Sequence, residues 1–441
     1  MLGWEFPPFI SGGLGTACFG LTKAMNQLGV DVTFVLPKCF DPSLATHVRL
    51  LTPGALSSSS STQAPASGLE HVTIRTVDSL LDPYGRPSEY RQRLEAILHE
   101  KERKHRISAE HGRDVLAAFE AGGMGSFPAV EHYGGDMFAE VQRYAREAVR
   151  LAMECDFDVV HAHDWMTYPA GIAVAAVTGR PLIVHVHSTE FDRSGEHVNQ
   201  GIYDIERRGM HAADRVIAVS HLTRNIILTH YGVTGQKVEV VYNGVEREGR
   251  ARTPYVPTPI RREEKIVLFL GRITMQKGPE YFLMAAKKVL EEIENVKFVM
   301  AGSGDMMERS IHLAAEMGIG HKVLFTGFLR GEDVQRVYQM ADLYVMPSVS
   351  EPFGIAPLEA LNHDVPVLIS KQSGVSEVLT HVLKVDFWDV VEMANKIIAV
   401  LKYPPLQMTL REHGNFEVRR LRWSDAAQRC LGVYEDVCVR V

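Results

Sequence analysis

Short apolar runs alternate with longer stretches of helical spacing along this chain. "DVTFVLP" (31–37), "DVVHAH" (158–163), "PLIVHVH" (181–187), "RVIAVS" (215–220) and "VEVVYNG" (238–244) read as strands. Between them, "GTACFGLTKAMNQLG" and "MFAEVQRYAREAVRLAMEC" carry apolar positions at helix spacing. That alternation predicts a parallel sheet with helices on both faces. A polar, proline-bearing stretch, 246–265, reads as a linker. The pattern then restarts with "KIVLFLG", "VKFVMAG", "KVLFTGF", "LYVMP" and "PVLIS". The expectation is an α/β chain of two doubly wound, Rossmann-like domains facing across a cleft. Their boundaries fall at 1–250 and 251–419.

The segment from about 53 to 135 interrupts the first half. It opens with "PGALSSSSSTQAPASG" and holds the charged helix "SEYRQRLEAILHEKERKH". A flap, an oligomer contact and a tolerated insertion all fit it. Only Met1 and Leu2 precede Gly3, where a strand of roughly five residues is expected. A first strand cut short by residues missing ahead of Met1 is favoured over a very short one.

Composition narrows the class. The chain has 441 residues, 46% hydrophobic and 23% charged, an ordinary globular balance. Its net charge of −7 gives no global attraction to nucleic acid or anionic membrane. Five scattered cysteines without C-x-x-C point to free thiols in a reducing compartment. No apolar run approaches the roughly 18 residues of a membrane helix. No basic segment with an apolar core opens the chain, so a cytoplasmic location is expected.

Candidate chemistry gathers at the carboxyl ends of the strands, where such sheets bind ligands. "EFPPFISGGLG" crowds Gly12, Gly13 and Gly15 ahead of the first helix, so something approaches its backbone closely. "GRITMQKG" sets Arg272 and Lys277 directly after a strand, and "AGSGD" adds a turn rich in N–H donors. Cations and exposed amides bind phosphate; two solvated cations on a loop are the plainer alternative. "SEPFGIAPLEA" puts Glu351 in the loop before a helix that begins near Ala356 or Pro357, and Glu359 in its first turn. Both carboxylates are expected to stay ionised beside the helix dipole and to accept sugar or ribose hydroxyls, unless they are ordinary helix-start acids. "HAHDW" ends a strand with His161 and His163, read as one on each face of the pleat with one turned to the cleft. "HVHSTE" ends the next strand in the same way with His185 and His187; satisfied core histidines are the alternative. No third ligand lies near the His pair in sequence, and no metal site is expected. The "DFD" aspartates, Asp156 and Asp158, precede their strand and read as turn residues at its amino end.

Taken in order, "SGGLG", "DVVHAHDW", "ADRVIAVS", "VYNGV", "GRITMQKG", "AGSGD", "FTGF" and "SEPFGIAPLEAL" resemble a retaining glycosyltransferase of group 1, in the GT-B superfamily that includes glycogen and starch synthases. The closing "RRLRWSDAAQRCLGVYEDV" resembles that family's helix crossing back to complete the first domain, over 420–441. The resemblance implies roles. Gly12 and Gly13 admit the donor diphosphate, and His163 lies beside the transferring sugar. Arg272 and Lys277 hold the diphosphate as it leaves. Glu351 binds sugar hydroxyls and Glu359 those of the ribose. Gly302, Gly327, Phe328, Phe353 and Gly354 complete the donor side, with the base near Gly327 and Phe328. His161 and His187 fall on the acceptor side.

The implied activity moves a hexose, glucose being favoured, from a nucleoside-diphosphate sugar to a carbohydrate acceptor such as an α-glucan. No further cofactor is implied. A transferase for cell-surface polysaccharide or glycolipid, and a nucleotide-sugar epimerase of the same fold, are the alternatives. A lysine stands two residues before the glycine pair in synthases that use ADP-glucose. Ile10 stands here, which points toward a UDP or GDP donor or a different phosphate grip.

Overall fold

The computed structural model describes residues 1–6, 12–37, 50–51, 71–77, 136–246 and 264–439. The expected linker and the 53–135 segment lie outside the described residues, apart from 71–77 and the two ends of the linker.

In the first half, α1 (Gly13–Gln27) leads into β1 (Val32–Pro37), β2 (Leu50–Leu51) and β3 (Val72–Val77). Then come α2 (Asp136–Ala152), β4 (Val160–His163), α3 (Tyr168–Thr178) and β5 (Leu182–Val186). The half continues with α4 (Glu190–Ser194), α5 (Gln200–Ala212), β6 (Arg215–Ala218), α6 (His221–Tyr231) and β7 (Val238–Val240). All strand pairs are parallel, in the orders β2-β3-β1 and β4-β5-β6-β7. Leu2 bridges Val35 on one side and Ala162 on the other, so a single residue joins the two sets. The finding of β3 corrects the reading of 53–135 as one insert. "HVTIRTV" pairs along the whole length of β1, and its apolar–polar alternation is that of a strand.

The second half holds β8 (Lys265–Leu270), α7 (Pro279–Leu290), β9 (Val296–Ala301), α8 (Met307–Glu316) and β10 (Val323–Gly327). It continues with α9 (Glu332–Met340), β11 (Leu343–Met346), α10 (Ala356–Asn362), β12 (Val367–Ser370) and β13 (Leu383–Val385). Three helices close it: α11 (Val390–Lys402), α12 (Pro404–Val418) and α13 (Trp423–Cys438). The sheet order is β10-β9-β8-β11-β12-β13, all parallel. Winding therefore reverses between β8 and β11, which opens a crevice at their carboxyl ends.

The central strands of both sheets, β4 and β5 in the first and β11 and β12 in the second, are buried on both faces, which is why they read as continuous apolar runs. In the first half, α2, α3 and α5 cover one face through Tyr144, Val174 and Ile202. On the other face α1 buries Ala17, Cys18, Leu21, Ala24 and Met25, a stripe at helical spacing. These pack with Phe34, Ile183, Ile217 and, from the far end of the chain, Trp423, Ala427 and Cys430 of α13. Helix α13 thus crosses back as the resemblance implied. Val245 pairs with Arg422 where the chain crosses between the halves. Gly20 and Gly244 leave the space that Trp423 fills. No helix among the described residues is long and apolar enough to cross a membrane.

Candidate active site

The crevice between β8 and β11 brings two distant motifs together. After β8 the chain makes a short helical turn, Met275–Lys277, closed by Gly278 in the left-handed region (φ 66). After β11 the turn "SEPFG" carries Glu351, which is 6% exposed in its side-chain surroundings. Lys277 Nζ donates to Glu351 Oε2 at 2.5 Å, and Ser348 Oγ donates to the same oxygen at 3.2 Å. The backbones are tied as well, with Val349 N–H donating to Gln276 O at 2.9 Å. Arg272 sits half-buried at the start of the first loop.

The neighbouring loops are stitched to each other. Gly271 N–H donates to Ala301 O, and Gly302 N–H donates to Gly327 O at 2.9 Å. Gly302 has φ 139, and a Cβ there would strike the Gly271 carbonyl. The amide of Gly302 is therefore spent on the neighbouring loop, and Ser303 to Asp305 form the exposed part of "AGSGD". Gly327, at φ 72, turns the chain into Phe328, which is 45% exposed with the Arg330 guanidinium 5.2 Å from its ring centre.

Two donor-side expectations need correction. The ring of Phe353 is buried in the core near Tyr242, so its side chain faces apolar neighbours rather than the crevice. Glu359 is not held down by its helix. Burial pushes its carboxyl above the usual range, and it accepts from Tyr338 OH at 3.0 Å. Gly354 (φ 102) makes the sharp turn before α10, and that helix begins at Ala356 as expected.

On the other side of the cleft, Gly12 stands extended at the N-cap of α1 with no side-chain cap and no acid in the first turn. Among the described residues, a Cβ at exposed Gly13 would meet nothing within 4 Å, and the amides at the start of α1 carry no side-chain cap. That helix end has positive partial charge. Residues 7–11, Ile10 among them, lie outside the described residues.

The histidines also differ from expectation. Residues two apart on a strand share a face, so His161 and His163 lie together rather than on opposite sides of the pleat. Their rings stack at 4.3 Å, and those of His185 and His187 at 4.2 Å. All four look toward α1 and α13. His161 Nδ1 is 2.6 Å from Tyr434 OH, and His163 Nδ1 is 3.0 Å from His187 Nε2. His163 is 0% exposed, whereas His187 is half-buried at the strand end. Burial, with repulsion between the rings, holds His161, His163 and His185 well below the usual histidine value. Burial alone lowers His187 to about 3. All four are neutral bases at neutral pH.

The histidines also supply the third ligand that was missing from the sequence. Cys18, His163 and His187, and separately His161, His163 and His185, each bring ligand atoms within 4.8 Å of one another. The second trio is stacked, with ring planes 12° to 31° apart. Lone pairs lie in those planes, so they converge on one ion only after the rings rotate. Asp156 and Asp158 are exposed before β4, Asp156 with its side chain 98% exposed near Arg180, at the end of the strand away from the cleft.

One residue of "HAHDW" carried no expectation. Asp164 has a left-handed φ of 60, and its Oδ1 accepts from His187 N–H at 2.8 Å and Ser188 N–H at 3.3 Å. It wires the end of β4 to the loop after β5, and burial raises its carboxyl to about 7. Strain of this kind collects at functional sites. The aspartate next to the histidine was its only signal in the sequence.

Two family models match, "Glycosyl transferases group 1" over residues 256–415 and "Glycosyltransferase Family 4" over 104–248. The chain is a glycosyltransferase, of group 1 over residues 256–415. An uncharacterized glycosyltransferase of Methanocaldococcus jannaschii is 36% identical over 245 residues, 51% of this chain and 60% of that protein, so this chain spans less than two thirds of it. The glycogen synthase of Mycobacterium tuberculosis is 26% identical over 86% of this chain and 78% of its own length. Among solved structures, sucrose-phosphate synthase from Thermosynechococcus elongatus superposes with a TM-score of 0.70 at 18% identity, covering 100% of this chain and 98% of that one. Anabaena HepE in complex with UDP-glucose superposes at 0.57 and 19% identity, over 67% and 82% of the two chains. The fold of this glycosyltransferase is GT-B, two parallel-sheet domains with a shared cleft.

Proposed function

We propose that this glycosyltransferase moves a hexose, with glucose favoured, from a nucleoside-diphosphate sugar to a carbohydrate acceptor, with retention at the anomeric carbon. The observation that carries the reading is the Lys277–Glu351 pair at the point where the sheet order reverses. A cation and a carboxylate held together there suit a ligand that is anionic at one end and rich in hydroxyls at the other. The uncapped start of α1 adds a second anion-binding element. The UDP-glucose bound by the Anabaena neighbour supports the same donor class.

In this reading Arg272 and Lys277 meet the charge that grows on the leaving diphosphate. Glu351 orients the sugar through its hydroxyls, and Phe328 with Gly327 borders the base. The acceptor enters from the side of His187 and attacks on the face the diphosphate leaves. The glycogen synthase relative favours an α-glucan acceptor. The family's chemistry and the free Cys18, Cys155, Cys430 and Cys438 favour a cytoplasmic setting.

The test pairs binding with product analysis. UDP-, ADP- and GDP-glucose are added separately while thermal stability is followed, since a bound donor stabilises by mass action. The stabilising donor is then incubated with a glucan primer, and the linkage formed is read by NMR. An α-linked product supports the reading; no stabilisation by any of the three donors overturns it.

A further inference from the structure

The turn that carries Glu351 is gripped by the opposite domain. Ser350 Oγ donates to Asp192 Oδ1 at 2.5 Å, and Ser220 Oγ donates to Pro352 O at 2.6 Å. The residues on either side of Glu351 are thus bonded to two elements of the first half, α4 and the N-cap of α6. Neither grip is a surface accident. Asp192 and Ser220 are 2% and 0% exposed. Asp192 is itself fixed, its Oδ2 accepting from Thr189 N–H at 2.8 Å and Thr189 Oγ1 at 2.7 Å. Ser220 Oγ caps α6 by accepting from Thr223 N–H at 3.0 Å. A Cβ at Gly374 would clash with Pro352 O and approach Ser220, so the domains meet here backbone to side chain.

Within its own domain the turn is held by Glu351 N–H donating to Gln372 O and Gly374 N–H donating to Glu351 O. The contacts to Asp192 and Ser220 add an anchor that exists only while the two domains are together. α4 also packs against the Met275–Lys277 turn, so the same contact lies behind both partners of the Lys277–Glu351 pair.

We infer that Asp192, through Ser350, is a positioning residue for Glu351, so that domain closure itself brings the carboxylate into register. The inference rests on the proposed donor role of Glu351. Closure would then be sensed where it matters for transfer: an open enzyme holds the diphosphate through its own loops but presents Glu351 out of place. That arrangement ties sugar orientation to the exclusion of water.

The experiment uses the full chain and two readouts. Hydrogen exchange over residues 347–355 reports how firmly the turn is held, and steady-state kinetics report its use. Ser350→Ala removes one hydroxyl and leaves the cap on Asp192 intact. Asp192→Ala is the second variant, Ser350→Thr the conservative rescue, and Asp156→Ala the control. Faster exchange in Ser350→Ala and Asp192→Ala is expected, with kcat lower on the order of tenfold. The KM for donor should stay within about threefold. The double variant should lose no more than the worse single, because both remove one bond. Ser350→Thr should restore most of both readouts. Unchanged exchange in both alanine variants, or an equal loss in KM and kcat that Ser350→Thr does not rescue, overturns the inference. If exchange quickens as expected while the wild type releases no nucleoside diphosphate from UDP-, ADP- or GDP-glucose, the proposed function falls and the grip on the turn stands.

Discussion

Lys277 and Glu351 are 74 residues apart in sequence and 2.5 Å apart in space, joined across the crevice where winding reverses. The pair gives each partner a fixed place before any ligand arrives. It also means that each will be disturbed by loss of the other.

Glu351→Gln keeps the shape of the side chain and removes its charge. If Glu351 orients the sugar as its bond to phosphate breaks, kcat should fall on the order of 10²-fold. Affinity for the bare nucleoside diphosphate should fall by less than kcat does, because in the proposed reading Arg272 and the amides at the start of α1 also hold that part. Initial rates and calorimetry on the same preparation check it. Near-normal turnover would remove Glu351 from the site.

His185 offers a test of the buried histidines. Neither of its ring nitrogens has a hydrogen-bond partner among the described residues. An unpaired buried polar group costs stability, so His185→Leu should raise stability by about 1 kcal/mol at pH 7.

The same residue sets a pH dependence. The four histidines have folded values below 6.5, so the unfolded chain takes up protons first as pH falls. Their stability is full above 6.5 and is lost below it, by about 1.4 kcal/mol per pH unit for each histidine. Asp164 and Glu206, raised by burial, act in the opposite sense over the same range and offset part of the loss. The urea midpoint should therefore decline below pH 6.5, and less steeply in His185→Leu. A flat profile in both proteins would show that the ring environment has been misread.

Gly20→Ala puts a methyl group into the Trp423 indole. Overpacking of this kind costs roughly 1–3 kcal/mol. Trp423→Leu in the same protein should make the added methyl tolerable, so the two losses will not add. Chemical denaturation of the two single variants and the double variant measures the coupling.

Transfer should need no divalent metal. In the proposed reading, Arg272, Lys277 and the amides at the start of α1 supply the positive charge for the leaving diphosphate. The aspartates of "DFD" are exposed at the wrong end of β4. Activity should survive exhaustive EDTA treatment; activity lost to EDTA and restored by Mg²⁺ or Mn²⁺ would contradict this.

What could be read in the sequence was whatever depends on local pattern. Runs such as "KIVLFLG" are buried on both faces, so their apolarity announced the strands and their spacing announced the double winding. "SEPFGIAPLEA" announced its helix start through Pro357 and the turn before it. Two corrected features also have a local signal: "HVTIRTV" alternates as a strand should, and the spacing of His161 and His163 puts them on one face. Others had no local trace. Nothing near Phe353 distinguishes a core ring from one lining a crevice. Nothing in Ser350 or Asp192 tells of a partner 158 residues away, because that bond depends on how two separately folded halves meet.

The return of α13 onto α1 has a consequence for how the protein is made. The apolar face built around Cys18, Phe34 and Ile183 is synthesised before the second domain, yet Trp423, Ala427 and Cys430 that cover it come after that domain. During translation that face waits uncovered while the whole second domain emerges and folds. The N-terminal half is sealed only once α13 has emerged, so a nascent chain truncated before Trp423 should engage chaperones that a chain carrying α13 does not need.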